Sequence, residues 1–151
     1  EYGLPAMGIR LTQTFGAGVN YNDTRVFAYF ARCVKEQVDI VLKTKGETER
    51  CYLYTTDAAT AILAVLLKGK PGGIYNAADE ATYCSIAEMA EKVAENGGIK
   101  VVYDIQDAAA NGFPDTLYMD LDTSELKKLG WCPLGGGYEI TEMYSRMIAD
   151  M

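Results

Sequence analysis

The apolar positions of the chain recur at two spacings, one helical and one strand-like, and the two alternate along the sequence. Steps of three and four residues predict a helix that ends near Gln37 and begins at an N-cap, either Asp23 or Thr24. Its apolar face consists of Val26, Phe27, Phe30, Val34 and Val38. The first half of the chain therefore contains at least one amphipathic helix.

Capping residues and glycines predict the other helices. An Ala- and Leu-rich body over Ala58–Leu67 follows a polar start and stops before Gly69, and Asp57 is expected to be its N-cap. Ser85 and Glu88 have the spacing of a capping box, and the helix that they begin ends at Gly97–Gly98. A helical turn starts near Asp122, and Glu139–Ile148 forms a last amphipathic helix.

Short apolar runs bounded by turn residues predict strands. They are Ala6–Thr12, Asp39–Leu42, Cys51–Tyr54, Gly73–Ala77, Lys100–Ile105 and Tyr118–Leu121. The segment from Gln106 to Pro114 lacks regular spacing and is predicted to be a surface loop. Because helices and strands alternate, we expect an α/β fold with at least partly parallel pairing.

Composition narrows the class of protein. The 151 residues fit one domain, and 49% hydrophobic with 23% charged residues is an ordinary globular balance. The net charge is −7 and there is no run of Lys or Arg, so we expect no nucleic-acid partner. No apolar stretch reaches membrane-spanning length, so no membrane partner is expected either.

The cysteines and the absent histidines limit the metal and redox chemistry. The chain has four cysteines without a CxxC pair, and it has no histidine, so no metal site is predicted. We expect reduced, mostly buried thiols in a cytoplasmic protein.

The motifs of a self-sufficient redox enzyme are missing. There is no GxGxxG fingerprint, and Gly16 and Gly18 are interpreted as a turn. No Tyr-x-x-x-Lys occurs at any of the 11 tyrosines, and without histidine no Ser/His or Cys/His pair can form. We therefore expect no catalytic residues within this chain.

Four motifs in a fixed order resemble the C-terminal part of NAD-dependent epimerases and dehydratases that modify nucleotide sugars. The first is similar to "YGLP…LR-x-x-N-x-YGPG", the second to "R-D-F-x-Y-V-D-D", the third to "G-x-x-Y-N-I-G" and the fourth to "D-x-S-K-A-x-x-x-L-G-W-x-P". They lie at Tyr2–Pro5 with Ile9–Gly18, at Arg50–Asp57, at Gly72–Ala78 with Ser85 and Ile86, and at Asp122–Pro133.

This resemblance implies the C-terminal portion of an extended short-chain dehydrogenase/reductase, a Rossmann-like α/β fold that here lacks its N-terminal dinucleotide-binding strands. Residues 1–151 would be one substrate-binding domain or fragment. The parent enzyme would use NAD and carry a catalytic Tyr and Lys in the missing half, while this chain alone would bind no NAD. The start at Glu1 instead of Met fits an excised domain.

The resemblance also implies which residues contact a nucleotide-diphosphate sugar. Arg50 matches the family arginine that grips a phosphate, and Gln13 stands where the family has Asn. A guanidinium suits this task because its forked donors match phosphate oxygens. The alternative is a surface Arg50 that is solvated or paired with Glu47 or Glu49.

Further positions follow from the same alignment of motifs. Arg25, Val26 and Phe27 sit where the family places residues near the nucleotide base, although Val26 and Phe27 equally suit a helix core. Leu11 and Thr12 would lie near the cofactor. Two positions depart from the family pattern: Cys51 replaces the family Asp and so removes an ion-pair partner, and no second arginine occurs at positions 111–115, so phosphate binding would rest on fewer charges.

The leading hypothesis is the substrate-binding portion of an NAD-dependent nucleotide-sugar epimerase or dehydratase, inactive without its N-terminal half. The alternative is a non-catalytic nucleotide-sugar-binding or self-associating module. Without a cofactor domain, the strand Ala6–Thr12 and the helix that includes Ala58–Leu67 would each expose an apolar face. We therefore expect a homo-oligomer.

Overall fold

The computed structural model of the chain describes residues 3–107 and 111–151. Its strands are β1 (Gly8–Leu11), β2 (Gln13–Phe15), β3 (Ile40–Leu42), β4 (Glu49–Tyr54), β5 (Ile74–Ala77), β6 (Asp79–Ser85), β7 (Val101–Tyr103) and β8 (Tyr118–Met119). Its helices are α1 (Val26–Glu36), α2 (Thr55–Lys68), α3 (Ile86–Gly97), α4 (Ser124–Lys127) and α5 (Ile140–Asp150), with a 3₁₀ turn at Leu134–Gly136.

The strands form three small sheets with mostly parallel pairing. β1 pairs with β5, and β3 pairs with β7, both in parallel. In the largest sheet, β4 pairs with β2 and β8 in parallel and with β6 in antiparallel orientation. The α/β fold with partly parallel pairing is therefore confirmed.

Two apolar clusters hold the helices and the sheets together. The larger one lies between α1, α3, α5 and the β2–β4 strands, and it centres on Phe15, Phe27, Tyr52 and Tyr144. The smaller one lies between α2 and the β1–β5 pair and is completed by Trp131, whose indole nitrogen donates to Thr60 Oγ1 at 3.1 Å. The buried rings of the larger cluster lie directly under the end of β2.

The strand predicted over Ala6–Thr12 is present as β1 at Gly8–Leu11. A second strand that was not predicted, β2, follows directly and pairs with β4, whereas β1 pairs with β5. The chain changes partner at Thr12, whose amide donates to Ala77 O and whose hydroxyl donates to Cys51 O at 2.6 Å. The pattern of apolar residues alone contained no signal for the second strand.

Two predicted helix caps are wrong, and one is confirmed. α1 begins at Val26 with Arg25 as its N-cap, because Asp23 accepts the Arg25 amide in a turn before the helix. Asp57 is the third residue of α2 and accepts the distant amide of Leu134 at 2.8 Å. The Ser85–Glu88 capping box is present, with both reciprocal hydrogen bonds.

Strand β6 was not predicted either. β6 reads Asp-Glu-Ala-Thr-Tyr-Cys-Ser, and its polar residues conceal a strand in which Thr82 and Cys84 are buried. Thr82 makes this possible because its hydroxyl bonds the backbone of Tyr52 on β4. Residues 108–110 of the predicted loop lie outside the described residues.

The outer face of α2 is apolar and exposed. Ile62, Leu63, Leu66 and Leu67 are exposed, with 77% of Leu67 accessible. Within the described part of the chain, β1 pairs with β5 only, so its other edge is open. The helix and the strand edge therefore present two unpartnered surfaces.

Candidate functional site

The candidate site lies where β2 runs alongside β4. Gln13 pairs with Tyr52 in the parallel register, which places the Gln13 side chain next to that of Arg50, two residues earlier on β4. Arg50 itself pairs with Cys84 on β6 and with Met119 on β8, so strands on both sides hold its backbone. The arginine is therefore fixed at the centre of the largest sheet.

The Arg50 guanidinium has more donors than the protein uses. Its Nη1 donates to Gln13 Oε1 at 3.5 Å, a long hydrogen bond, and its Nε is buried without a hydrogen-bond partner among the described residues. Salt bridges within residues 3–107 and 111–151 involve Arg25, Lys127, Lys128 and Arg146 but not Arg50. Arg50 is therefore not paired with Glu47 or Glu49, and its positive charge is not neutralised by an ion pair in that part of the chain.

Arg25, unlike Arg50, forms an ion pair within the protein. Its guanidinium is bound by Asp23 on two nitrogens, with Nη2 at 2.5 Å from Oδ2, and it lies over the Phe27 ring at 4.6 Å. The Asp23 pKa is lowered to about 2, chiefly by this hydrogen bond. Arg25 is thus already neutralised by its own turn.

Val26 and Phe27 differ in how deeply they are buried. Val26 is half-buried, whereas Phe27 is fully buried and stacks on Phe15 with ring centroids 4.9 Å apart. Phe27 offers no surface to a ligand in this structure. The start of α1 nevertheless lies beside the candidate site, because Phe15 follows Gln13 by two residues on β2.

Leu11 and Thr12 lie at the junction between β1 and β2. Leu11 is 41% exposed at the end of β1, and Thr12 is buried with its hydroxyl engaged by Cys51 O. Thr14 in turn donates its hydroxyl to Thr12 O at 3.0 Å. The structure therefore brings Thr12, Gln13 and Arg50 together, and it places Leu11 at the edge of this group.

Cys51 replaces an acidic residue of the family motif and behaves as a neutral thiol. Burial raises the pKa of the Cys51 thiol to about 11, and the nearby Asp120 carboxylate adds to this increase. The thiol lies 4.0 Å from Asp120 Oδ1. Arg50 consequently has no anionic partner on the adjacent residue of its own strand.

A cavity opens near the start of β4. It has a volume of about 280 Å³, and Thr48 on its wall precedes Arg50 by two residues, about 7 Å along an extended strand. Apolar atoms come from Ile86, Ile105 and Pro114. Polar groups are provided by Lys45, Thr48, Gln106, Thr116, Glu47 and Asp115. This cavity could not be predicted from the sequence, because its wall combines four segments that lie far apart in the chain.

The turn after β2 differs from a glycine fingerprint. Gly16 and Gly18 form this turn, and the next helix along the chain begins only at Val26, although Thr55 at the start of α2 lies beside Gly16. A Cβ added at Gly16 would overlap the Tyr54 ring, which explains this glycine by close packing. Thr12, the nearest candidate cofactor contact, has its hydroxyl occupied.

Two further findings concern metals and membranes. In the described part of the chain, no three His, Cys, Asp or Glu side chains cluster closely enough to bind a metal ion. Among the described helices, none has the length and apolar character needed to cross a bilayer.

Solved structures resemble this fold over nearly its whole length. UDP-glucose 4-epimerase from Thermotoga maritima with UDP-glucose has a TM-score of 0.82 at 22% identity, and the match covers 99% of this chain and 47% of that one. The dTDP-glucose 4,6-dehydratase from Bacillus anthracis in complex with NAD has a TM-score of 0.79 at 19% identity, covering 98% and 45%. At these identities the likeness establishes the fold, that of extended short-chain dehydrogenases/reductases.

Sequence relatives agree with the structural neighbours. A trifunctional UDP-glucose 4,6-dehydratase/UDP-4-keto-6-deoxy-D-glucose 3,5-epimerase/UDP-4-keto-L-rhamnose-reductase of Arabidopsis thaliana is 30% identical over 132 residues, which are 87% of this chain and 19% of that protein. The chain thus spans about a fifth of this curated relative. The profile of the NAD dependent epimerase/dehydratase family matches residues 1–78, more than half of the chain. Together with the fold and the ordered motifs, this match shows that the chain belongs to the NAD-dependent epimerase/dehydratase family.

Proposed function

We propose that this chain is the substrate-binding portion of an NAD-dependent nucleotide-sugar epimerase or dehydratase, with residues 1–151 forming one domain. The observation that carries the proposal is the Arg50 guanidinium, which is fixed at the centre of a sheet with a buried Nε that lacks a partner among the described residues and no ion pair there. A charged donor left unpaired costs free energy that a bound anion would recover. Arg50 is therefore prepared for an anionic ligand.

The neighbours of Arg50 suit a diphosphate. The Gln13 amide oxygen holds Nη1 at 3.5 Å, which leaves the Gln13 NH₂ group and the remaining guanidinium donors for phosphate oxygens. The cavity beyond Thr48 provides apolar walls and both uncharged and charged polar groups, and it would receive another part of the same ligand. Arg25 and Val26, at the start of α1, would border this ligand, and the buried Phe27 would support them from the core.

The chemistry is proposed to reside on a part of the enzyme other than these residues. The two solved neighbours described above are matched over only 45% and 47% of their length, and this chain contains no Tyr-x-x-x-Lys and no glycine fingerprint. When bound by that other part, NAD would supply the hydride transfer. Leu11 and Thr12, at the junction of β1 and β2, would border the cofactor, and the chain alone is expected to bind the nucleotide sugar without turning it over.

The titration that tests this proposal uses the chain alone. We expect UDP-glucose, dTDP-glucose or CDP-glucose to bind measurably by calorimetry, and we expect the affinity to fall as salt is added, since the contact is electrostatic. Free glucose is the control and should show no heat at the same concentrations. Failure of all three nucleotide sugars to bind at low salt would contradict the proposal.

Self-association is a second candidate role, and the exposed face of α2 favours it. Four large apolar side chains on one helix, next to an open strand edge, form a surface that monomeric proteins rarely leave uncovered. We expect a homo-oligomer by light scattering, and Leu63→Glu with Leu67→Glu should convert it to a monomer. A wild-type chain that is monomeric at micromolar concentration would exclude this role.

The proposed compartment is the cytoplasm. Its reducing conditions suit the four cysteines, which are all unpaired in the structure, with Cys33, Cys51 and Cys84 buried and Cys132 exposed.

A further inference from the structure

Two asparagines of the chain are followed directly by glycine, at Asn96–Gly97 and at Asn111–Gly112. In such a pair the asparagine can react with its own main chain, because glycine has no side chain to keep its amide nitrogen away from the preceding side chain. Whether the reaction occurs depends on how firmly the structure holds the two residues. The two pairs differ in this respect.

The pair Asn96–Gly97 is held rigidly at the end of α3. Both residues belong to the helix, and Gly97 packs so closely on α1 that an added Cβ would lie 2.7 Å from a Val34 methyl group. The Gly97 carbonyl also accepts a hydrogen bond from Gln37 Nε2 at 3.2 Å. Because a helical N–H points along the axis while side chains point outward, the Gly97 nitrogen is kept away from the Asn96 side chain. This pair should not react.

The pair Asn111–Gly112 is open to solvent. Both residues are exposed, and nothing in the described part of the chain lies within 4 Å of the place that a Gly112 Cβ would take. Gly112 has a φ of 66°, so the main chain leaves the helical path at this residue. Asn111 Nδ2 donates to Asp107 O at 2.9 Å, which holds the side-chain amide against the main chain. Rotation about the Asn111 Cα–C bond, which brings the Gly112 nitrogen to Asn111 Cγ, meets no packed neighbour among the described residues.

We propose that Asn111 is a self-modification site, at which the Gly112 nitrogen attacks Asn111 Cγ and closes a succinimide ring. A bond forms between this nitrogen and Cγ, the bond from Cγ to Nδ2 breaks, and Nδ2 leaves as ammonia with a proton that replaces the one lost by the Gly112 nitrogen. Water then opens the ring. Attack at Cγ gives aspartate, and attack at the main-chain carbonyl gives isoaspartate, in which the main chain runs through Cβ and Cγ.

The modification acts on the cavity near the start of β4. The loop that contains Asn111 connects two walls of this cavity. Both ends of the loop are fastened to the segment between β3 and β4: the Gln106 amide donates to Lys43 O at 2.9 Å, and the Leu117 amide donates to Thr48 Oγ1 at 3.2 Å. Isoaspartate adds a carbon atom to a main chain whose ends are fixed, so the loop between them must take a new path.

Both products also add a negative charge beside this cavity. Glu47 and Asp115 already lie on its wall, together with Lys45. A further carboxylate would repel an anionic ligand there, and salt would screen the repulsion. This consequence rests on the proposed function, whereas the modification itself does not.

Ageing of the purified chain in mildly alkaline buffer tests the modification. Peptide mapping by mass spectrometry locates each change from amide to acid, and an isoaspartate methyltransferase labels the isoaspartate product. We expect Asn111 to convert within days while Asn96 remains an amide, and we expect slower conversion in mildly acidic buffer, because the attack requires a deprotonated nitrogen. An unchanged Asn111, or an Asn96 that converts equally fast, would overturn the proposal.

Asn111→Gln and Asn96→Gln are matched variants. The added methylene of glutamine requires a larger ring, so Asn111→Gln should abolish the isoaspartate label, whereas Asn96→Gln should leave the label as in the wild type. If Asn111→Gln ages with the same yield of isoaspartate, the reacting residue lies elsewhere and the proposal is wrong.

Titration with UDP-glucose separates the modification from its consequence. Asn111→Asp carries the new charge without the extra main-chain carbon, and its affinity should be about two- to fivefold lower than that of the wild type at low salt and equal to it at high salt. The aged chain with isoaspartate should bind more weakly than Asn111→Asp at both salt concentrations. Conversion without a change in affinity would refute the effect on the cavity, and failure of every one of these proteins to bind would contradict the proposed function instead.

Discussion

Replacing Arg50 with alanine is expected to weaken the binding of a nucleotide-diphosphate sugar by about 10- to 100-fold. The range corresponds to about 1.4–2.7 kcal/mol, which matches the loss of one charge-assisted hydrogen bond at about 1.5–3 kcal/mol. Fold stability should change little or even rise, because the substitution removes a buried Nε that has no partner among the described residues. Calorimetric titration of both proteins at the same salt concentration measures the difference.

Two matched variants separate charge from geometry. Arg50→Lys keeps the positive charge but loses the forked donors, so it should recover only part of the affinity. Arg146→Ala removes an exposed arginine that already binds Glu142, and its affinity should equal that of the wild type. Equal affinities of wild type and Arg50→Ala would remove Arg50 from the site.

Replacing Phe15 with alanine is expected to destabilise the chain by about 3–5 kcal/mol, the usual cost of a fully buried ring. Phe15 contacts three other rings: Phe27 stacks on it at 4.9 Å, Tyr144 lies at 5.1 Å and Tyr52 at 5.7 Å. Because domains are stable by only about 5–15 kcal/mol, much of this stability would be lost. Urea unfolding followed by circular dichroism measures it.

Leu4→Ala provides the control for that measurement. Leu4 is 78% exposed, so its truncation should change the free energy of unfolding by no more than about 0.5 kcal/mol. A Phe15→Ala variant as stable as Leu4→Ala would show that the ring cluster does not hold β2 to α1 and α5, and the placement of Gln13 would then lack its support.

The sequence was most informative where local chemistry decides the structure. The Ser85–Glu88 capping box could be predicted because both partners lie within four residues of each other. The body of α2 was recognisable from its Ala- and Leu-rich composition. The family followed from motifs in a fixed order, and these motifs include Arg50.

The features that escaped prediction depend on residues far apart in the chain. β6 looks too polar for a buried strand, but the Thr82 hydroxyl is hydrogen-bonded to the backbone of Tyr52 on β4, 30 residues away in the chain. Asp57 looked like a helix cap, but its acceptor is used by Leu134, 77 residues later. The Arg50–Gln13 contact spans 37 residues, and only the strand register brings the two side chains together.

The measurement that addresses the central claim most directly is a structure of the chain with UDP bound. The account predicts diphosphate oxygens within about 3 Å of the Arg50 guanidinium, with the Gln13 amide as a second contact. A structure in which UDP binds elsewhere while Arg50 remains without an anionic partner would contradict it.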